Sequence, residues 1–238
     1  MVLKATVNCD LGEADDEALM KTIHLANIAC GGHAGDFATM NKSVRWAKEH
    51  GVLVGAHPSL LIARALVDDE LVACFVSQVG SLCGFLRMHG LQLNHIKPHG
   101  AIYGQMARSD DLARAAVMVC KIFSDSDHQV AFVGLAGTAH QRAAEELGIR
   151  FIPEWFADLE YSPSGQLLIT QVHASVTHDN IRARVIAILS TRVLTLMESS
   201  GANIREVTIC CHSDTPGAVG NAQLVKSLVD ESNRVAGF

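Results

Sequence analysis

The stretch Asn27-Ile28-Ala29-Cys30-Gly31-Gly32-His33-Ala34-Gly35-Asp36 joins a short apolar run to a glycine loop, and a helical pattern begins just beyond it. Glycine lets the backbone turn sharply and approach a ligand closely. A strand that ends in such a loop places polar side chains at the mouth of an α/β sheet, where these proteins bind ligands. Taken alone, His33 and Asp36 fit a turn with a helix cap equally well.

The same arrangement recurs along the chain. Continuous apolar runs predict parallel strands that are covered on both faces. We predict strands at residues 4–8, 27–30, 52–56, 93–97, 130–133, 149–153 and 207–211. Helical patterns cover part of 14–24, then 39–50, 68–89, 109–124, a segment ending at 147, 180–199 and 216–231, and turn residues at 161–166 predict a hairpin.

These segments form seven β–α units without a linker or a composition break, so we expect one domain over residues 1–238. Seven sequential units favour a closed or nearly closed parallel β/α barrel of the TIM type. Spacing alone leaves a doubly wound open sheet as an alternative.

Composition excludes several classes of protein. The 238 residues are 49% hydrophobic and 18% charged, and the net charge is −6 without a basic cluster, so we expect a folded core and no nucleic-acid partner. Uninterrupted apolar runs stay below the ~18 residues of a membrane span, and the first residues do not resemble a signal peptide, so we expect a cytoplasmic protein without a membrane partner. The seven cysteines include no CxxC pair and predict buried, reduced thiols.

Polar side chains follow nearly every predicted strand. In a parallel barrel the carboxyl ends of all strands share one face, and that face carries the active site. The residues concerned are Asn8, Asp10, His33, Asp36, His57, Lys97, His99, Glu154, Asp158, His212 and Asp214. Any one of them could be a loop anchor or cap. Together they predict a single site.

Carboxylates beside imidazoles can act as general acid and base near neutral pH, and the same side chains could hold a divalent metal ion. The sequence contains no HExxH, P-loop, GxGxxG or GxSxG motif, so neither familiar nucleotide site nor a serine nucleophile elbow is indicated. We interpret Cys9 and Cys30 as packing residues. The remaining histidines, except His95, are expected at the surface or at helix ends: His24, His50, His89, His128, His140, His173 and His178.

Six segments resemble the LamB/YcsF family, in the family's order and over nearly the whole chain. They are Asn8-Cys9-Asp10-Leu11-Gly12-Glu13, Ala26–Asp36, Gly55-Ala56-His57-Pro58-Ser59, Lys97-Pro98-His99-Gly100-Ala101-Ile102-Tyr103, Glu154-Trp155-Phe156-Ala157-Asp158 and His212-Ser213-Asp214-Thr215-Pro216-Gly217-Ala218. The resemblance implies a seven-stranded β/α barrel related to glycoside hydrolases and polysaccharide deacetylases. It also implies ATP-dependent cleavage of the 5-oxoproline lactam to glutamate, together with 5-oxoprolinase subunits B and C.

The resemblance further implies roles for individual residues. ATP would phosphorylate the lactam oxygen and water would attack the activated carbon, with Lys97 stabilising phosphate or oxyanion charge. Asp10, His57 and His99 would supply acid–base groups, and the same three would be the ligands of any divalent metal ion. The expected substrate-binding residues are Asn8, Glu13, Asn27, His33, Asp36, Tyr103, Glu154, Asp158, His212 and Asp214. The sequence leaves open whether the chain forms a homo-oligomer.

The chain departs from the family pattern at four places. Gly32 stands where members usually have Phe, Leu159 where they have Arg, and Ser213 where they have Gly. The loop after Ser59, from residue 60 to 64, looks shortened. An arginine is hard to replace for bidentate binding of carboxylate or phosphate. Two alternatives therefore stand beside the hydrolase: a catalytically degenerate binding or regulatory subunit, and a metal-dependent amide hydrolase acting alone.

Overall fold

Seven parallel strands close into a barrel in the computed structural model, which describes residues 3–13, 16–60, 68–161, 167–168, 175–192 and 204–238. Hydrogen bonds join each barrel strand to its neighbours in chain order, and the last barrel strand to the first. The barrel strands are β1 (Lys4–Leu11), β2 (Leu25–Ala29), β3 (Leu53–His57), β4 (His95–Ile96), β5 (Ala131–Leu135), β6 (Phe151–Phe156) and β9 (Glu206–Cys211). The predicted barrel is confirmed, and the open-sheet alternative is wrong.

Helices follow the strands around the barrel. They are α1 (Glu17–Met20), α2 (Phe37–His50), α3 (Asp68–His89), α4 (Gly100–Met106), α5 (Asp110–Ile122), α6 (Ala139–Leu147), α7 (His178–Ala187) and α8 (Ala218–Ala236). The helix expected over 180–199 is α7 followed by a π-helical turn at Ile188–Arg192, and residues 193–199 lie outside the described part. The short helix α4 was not predicted.

The expected hairpin is present as two short antiparallel strands, β7 (Glu160–Tyr161) and β8 (Leu167–Leu168). Its turn, residues 162–166, lies outside the described residues. The first strand also differs from the prediction, because β1 continues to Leu11. Asp10 is therefore part of the barrel wall, where it pairs with Asn27 of β2, rather than part of a loop.

The inside of the barrel is divided into a polar and an apolar part. Alternate residues of a strand face the same side. On β1 the side chains of Thr6, Asn8 and Asp10 face inward and bond to other strands, whereas Val7 joins the apolar layer under the helices. Across the barrel, β5 and β6 contribute a small apolar cluster of Ala131, Val133 and Ile152. The polar side chains inside the barrel lead to the predicted site at the carboxyl ends of the strands.

The quoted glycine loop folds as the sequence indicates. Gly31 and Gly35 have φ values of 100° and 84°, and a Cβ atom at Gly35 would lie 2.0 Å from the carbonyl oxygen of Ala29. Only glycine fits so close to a strand end. Asp36 then caps α2, because its side chain accepts a hydrogen bond of 2.8 Å from the Thr39 amide.

The helix α3 is the one described helix that is long and apolar enough to cross a membrane, by length and composition alone, over Asp69–His89. Its buried side chains recur every three or four residues and join the barrel core: Leu71, Phe75, Val79, Leu82 and Leu86. This spacing is typical of an amphipathic helix that packs on a sheet. We therefore interpret α3 as a barrel helix.

Candidate active site

A buried lysine between two carboxylates forms the floor of the candidate site. The Nζ atom of Lys97 lies 2.8 Å from Asp10 Oδ1 and 2.9 Å from Glu154 Oε1. Burial alone would lower the pKa of Lys97, but the carboxylates of Asp10 and Glu154 outweigh it and hold that pKa well above its usual value. Burial would raise the pKa of Asp10, but His57 and Lys97 hold it well below its usual range. The ammonium group of Lys97 and the carboxylates of Asp10 and Glu154 are thus each buried beside an opposite charge.

A chain of amides and an imidazole supports this floor from below. The Asn27 amide nitrogen donates to Asn8 Oδ1 at 2.7 Å and to Asp10 Oδ1 at 2.8 Å. Its oxygen therefore accepts, and His95 Nε2 donates to it at 2.7 Å. Burial lowers the pKa of His95 to about 3, so the ring is neutral and donates through Nε2–H.

Sequence reasoning missed His95. A signal existed, since His95 stands two residues before Lys97 in the strand predicted over 93–97 and must share its face. The neighbouring strand makes room for the ring, because a Cβ atom at Gly55 would lie 2.1 Å from His95 Nε2. Gly55 is therefore a packing requirement of the site and not merely a strand-end glycine.

Three histidines and a glutamate meet at the mouth above the floor. His57 Nδ1 donates to the Lys97 carbonyl oxygen at 2.7 Å, and His57 Nε2 lies 3.0 Å from His99 Nδ1. The rings of His33 and His99 stack with centroids 3.5 Å apart, and His33 Nε2 lies 2.6 Å from Glu13 Oε1. Burial, then the neighbouring His57 and His33, lowers the pKa of His99 to about 4, so its ring is neutral at pH 7.

On the opposite side of the mouth, Asp158 orients His212. Its carboxylate accepts from the His212 backbone amide at 2.7 Å and contacts the ring Nδ1 at 2.9 Å. Burial would lower the pKa of His212, but the hydrogen bond and charge of Asp158 raise it. The ring also stacks on Phe156 at 5.5 Å, and Tyr103 donates to Glu154 at 2.8 Å.

A cleft of about 190 Å³ opens between these groups at the carboxyl ends of the strands. Eight predicted site residues line it: Asp10, Glu13, His57, Lys97, His99, Tyr103, His212 and Asp214. Four more are buried behind this lining: Asn8, Asn27, Glu154 and Asp158. The cleft is smaller than the sites of drug-sized ligands, which indicates a small molecule.

Two predicted site residues stand apart from the lining. His33 reaches the cleft only through its contacts with Glu13 and His99. Asp36 is exposed and caps α2, so the structure does not bring it to the cleft. The helix-cap interpretation describes Asp36 best.

The other sequence predictions have mixed outcomes. All seven cysteines are free, as expected, but Cys210 Sγ also lies 3.1 Å from Lys97 Nζ, which the sequence did not suggest. His140 is fully buried, so a surface position is wrong, but it does stand at a helix end, as the second residue of α6, and its Nδ1 accepts from the Leu135 amide. Of the other histidines assigned to the surface or helix ends, His173 lies outside the described residues, and the rest are exposed or half-buried.

The structure accounts for one departure from the family pattern. A Cβ atom at Gly32 would lie 2.3 Å from Gln78 Oε1, because the Gln78 side chain fills this space. Its amide bonds to both the nitrogen and the carbonyl oxygen of Ser59, at 3.0 and 2.7 Å. Leu159 is buried beside Tyr103 and Phe156, and Ser213 lines the cleft. The shortened loop falls largely on residues 61–67, which lie outside the described part.

Fold and site together define a β/α-barrel protein with a lysine–carboxylate–histidine site at the carboxyl ends of its strands. The sequence model of the LamB/YcsF family matches residues 5–236, and the chain belongs to this family. It is 37% identical to the lactam utilization protein lamB of Emericella nidulans, over 99% of this chain and 98% of that protein. It is 36% identical to the A subunit of 5-oxoprolinase from Thermococcus onnurineus, over 96% and 95% of the two chains.

Solved structures agree with this assignment. The lactam utilization protein from Thermus thermophilus superposes with a TM-score of 0.77 at 30% identity, over 99% of this chain and 98% of that one. A GH113 β-1,4-mannanase superposes with a TM-score of 0.55 at 9% identity, over 97% and 99% of the two chains, and shares the fold alone. The barrel is therefore of a type that glycoside hydrolases also use.

Proposed function

We propose that this chain is one subunit of an ATP-dependent 5-oxoprolinase, which opens the lactam of 5-oxo-L-proline to give L-glutamate. The supporting observation is the buried Lys97 between Asp10 and Glu154, in a small cleft that the neutral imidazole of His99 also lines. The relatives that carry the name of the 5-oxoprolinase A subunit supply the reaction class.

The chemistry explains why such a site suits a lactam. An amide is stabilised by resonance, and an unstrained five-membered ring offers no relief on opening, so coupling to ATP is reasonable. In the proposed reaction the γ-phosphoryl group of ATP moves to the lactam oxygen and ADP leaves. One water molecule attacks the activated carbon, and cleavage of the C–N bond leaves glutamate carrying the phosphoryl group on its side-chain carboxyl. A second water molecule hydrolyses this acyl phosphate to glutamate and inorganic phosphate.

The residues take separate roles in this reaction. His99 is neutral at pH 7 and partly exposed, so it can accept the proton of the attacking water. His57 lies 3.0 Å away and can pass that proton on, with Asp10 3.4 Å beyond it. The Lys97 ammonium is already surrounded by Asp10, Glu154 and Cys210, so it stabilises developing negative charge through its field.

ATP and further subunits belong to the same proposal. The sequence has neither a P-loop nor a GxGxxG motif, so we propose that subunits B and C contribute to ATP binding in the cytoplasm. A second candidate function rests on Leu159. Its buried position among Tyr103 and Phe156 puts an apolar side chain where the family pattern has a cation, which favours a binding subunit without catalysis.

Reconstitution separates the two functions. The chain is mixed with partner subunits B and C, ATP and 5-oxoproline, and glutamate release is measured with each component omitted in turn. We expect turnover that needs this chain and falls about 10²–10⁴-fold in Asp10→Ala and His57→Ala, the range typical of acid–base groups. The exposed Asp111→Ala is the matched control and should leave turnover unchanged.

An assembled complex without turnover would support the binding subunit instead. Turnover that survives both Asp10→Ala and His57→Ala would refute the assignment of the cleft. Size-exclusion chromatography of each variant with its partners shows that the compared complexes are intact.

A further inference from the structure

Four potential metal ligands converge at the mouth of the barrel from four separate segments. The ligand atoms of Glu13, His33, His57 and His99 all lie within 4.8 Å of one another. Glu13 follows β1, His33 belongs to the glycine loop after β2, His57 ends β3, and His99 follows β4. The carboxyl ends of four consecutive strands thus bring these groups to one point.

The hydrogen bonds of these side chains direct several lone pairs into the space between the four ligand atoms. A backbone carbonyl oxygen only accepts, so the contact of 2.7 Å with Lys97 O places a proton on His57 Nδ1. In the neutral ring, His57 Nε2 then presents a lone pair, with His99 Nδ1 at 3.0 Å and Asp10 Oδ2 at 3.4 Å. Glu13 Oε1 adds a carboxylate oxygen 3.5 Å from His99 Nδ1. Electron-pair donors packed this closely repel one another unless a proton or a metal ion lies between them.

This hydrogen-bond pattern is typical of metal-binding histidines. Such a ring usually gives its other N–H to a carbonyl or a carboxylate, which fixes the tautomer and the ring plane. His57 does so through the Lys97 carbonyl, and its side chain is 1% exposed. The ring therefore cannot turn its Nε2 atom away from the cluster without losing a buried hydrogen bond.

The spacing also suits an ion. A metal–nitrogen distance of about 2.1 Å is usual for imidazole ligands. An ion at that distance from both His57 Nε2 and His99 Nδ1, which are 3.0 Å apart, would make an N–metal–N angle of about 90°. Five- or six-coordinate ions accept this angle directly, and a tetrahedral ion would need the two nitrogens to separate by about 0.4 Å.

We propose that Glu13, His33, His57 and His99 form a binding site for one divalent transition-metal ion of the zinc, cobalt or iron type. Three imidazoles favour these ions over magnesium, which prefers oxygen ligands. Glu13, His57 and His99 line the cleft, so the ion has a path from solvent and an open face. Such an ion, when bound, would lower the pKa of a water molecule or polarise a carbonyl group. It would occupy the lone pairs of His57 Nε2 and His99 Nδ1, so the proton transfer between these two rings that is proposed above belongs to the chain without the ion.

This set differs from the three ligands that the sequence suggested. His57 and His99 are common to both, whereas Asp10 gives way to Glu13 and His33. Asp10 Oδ1 is engaged by Lys97 and Asn27, which ties that carboxylate to the floor of the site.

The test is metal binding by the chain without substrate, ATP or partner subunits. Chelator-treated protein is titrated with Zn²⁺ by calorimetry, with Mg²⁺ as the contrasting ion and Co²⁺ for its visible absorption. We expect one Zn²⁺ per chain, no saturable Mg²⁺ binding, and Co²⁺ bands that indicate nitrogen ligands. We expect His57→Ala, His99→Ala and Glu13→Gln each to weaken Zn²⁺ binding at least 10-fold, because loss of a ligand should cost no less than loss of a residue that hydrogen-bonds to a ligand, which typically costs about 10–100-fold.

His50→Ala is the matched control, because His50 is exposed at the end of α2 and precedes the amino end of β3, whereas the cluster lies at the carboxyl ends of the strands. It should bind Zn²⁺ like the wild type. Glu13→Gln guards against misfolding, since Glu13 is only partly buried and the change preserves its shape. Absence of Zn²⁺ binding by the wild type, or equal binding by folded Glu13→Gln and His99→Ala, overturns the site. Neither result affects the lactam proposal, which is measured by glutamate release.

Discussion

Replacing Lys97 with methionine removes the cation from the floor of the site while keeping the length of the side chain. The Lys97 side chain is 3% exposed, and its partners Asp10 and Glu154 are 11% and 0% exposed. Lys97→Met would therefore leave two carboxylates buried beside each other without their cation. Removing one partner of a buried ion pair typically costs about 3–5 kcal/mol of the free energy of unfolding.

For a chain of this length, each kcal/mol shifts Tm by about 2–4 °C, so we expect Tm to fall by about 6–20 °C. Urea unfolding at pH 7 measures the change directly. The double variant Lys97→Met/Glu154→Gln should recover part of the loss, because one uncompensated charge is gone. Lys21→Met is the control: Lys21 pairs with Glu17 at 3.6 Å in solvent, and exposed pairs contribute about 0–1 kcal/mol.

The pH dependence has a definite sign. The pKa of Asp10 is lower in the folded chain than its usual value, so its contribution to stability is present above about pH 4 and is lost as the pH falls. Lys97→Met removes much of that depression, and the gap between wild type and variant should narrow on acidification. A loss below about 1 kcal/mol at pH 7, or a gap that widens in acid, would refute the described ion pairs.

Three further predictions concern the support of the site. Gly55→Ala should lower the free energy of unfolding by at least about 1–3 kcal/mol in thermal unfolding, because its Cβ atom would meet His95. Gly84→Ala is the control, since Gly84 of α3 has open space around it and the change should be neutral or stabilising. Burial lowers the pKa of His95 to about 3, so the free energy of unfolding of the wild type should fall by up to about 5 kcal/mol between pH 6.5 and 3. In His95→Gln, urea unfolding should show a smaller dependence on pH over this range. Asp158→Asn should lower the NMR titration midpoint of His212, and an unmoved midpoint contradicts their pairing.

The sequence predicts the barrel well because its strands are short apolar runs separated by helices at regular intervals. Local sequence patterns were less informative where contacts between distant parts of the chain decide the position of a residue. Asp10 looked like a loop residue, yet pairing with β2 carries β1 through it to Leu11. His140 looked like a surface histidine on a helix, yet its ring lies against Phe132 and Tyr103.

The candidate site follows the same rule. Strand-end position was enough to find Lys97, His57 and His99, because all carboxyl ends share one face. It could not separate Asp36, which caps a helix, from residues that reach the cleft. His95 was missed because it lies within a strand and acts through Asn27 rather than in the cleft. The supporting roles of Asn27 and His95 follow from which atom donates each hydrogen bond, and no sequence pattern contains that information.

A crystal structure with 5-oxoproline bound would show directly where the lactam binds. We expect the lactam ring in the cleft at the carboxyl ends of the barrel strands, and this is its predicted position: the carbonyl group near His99 and above Lys97, and the ring against Phe156. A lactam bound at any other surface, with only solvent in this cleft, would contradict it.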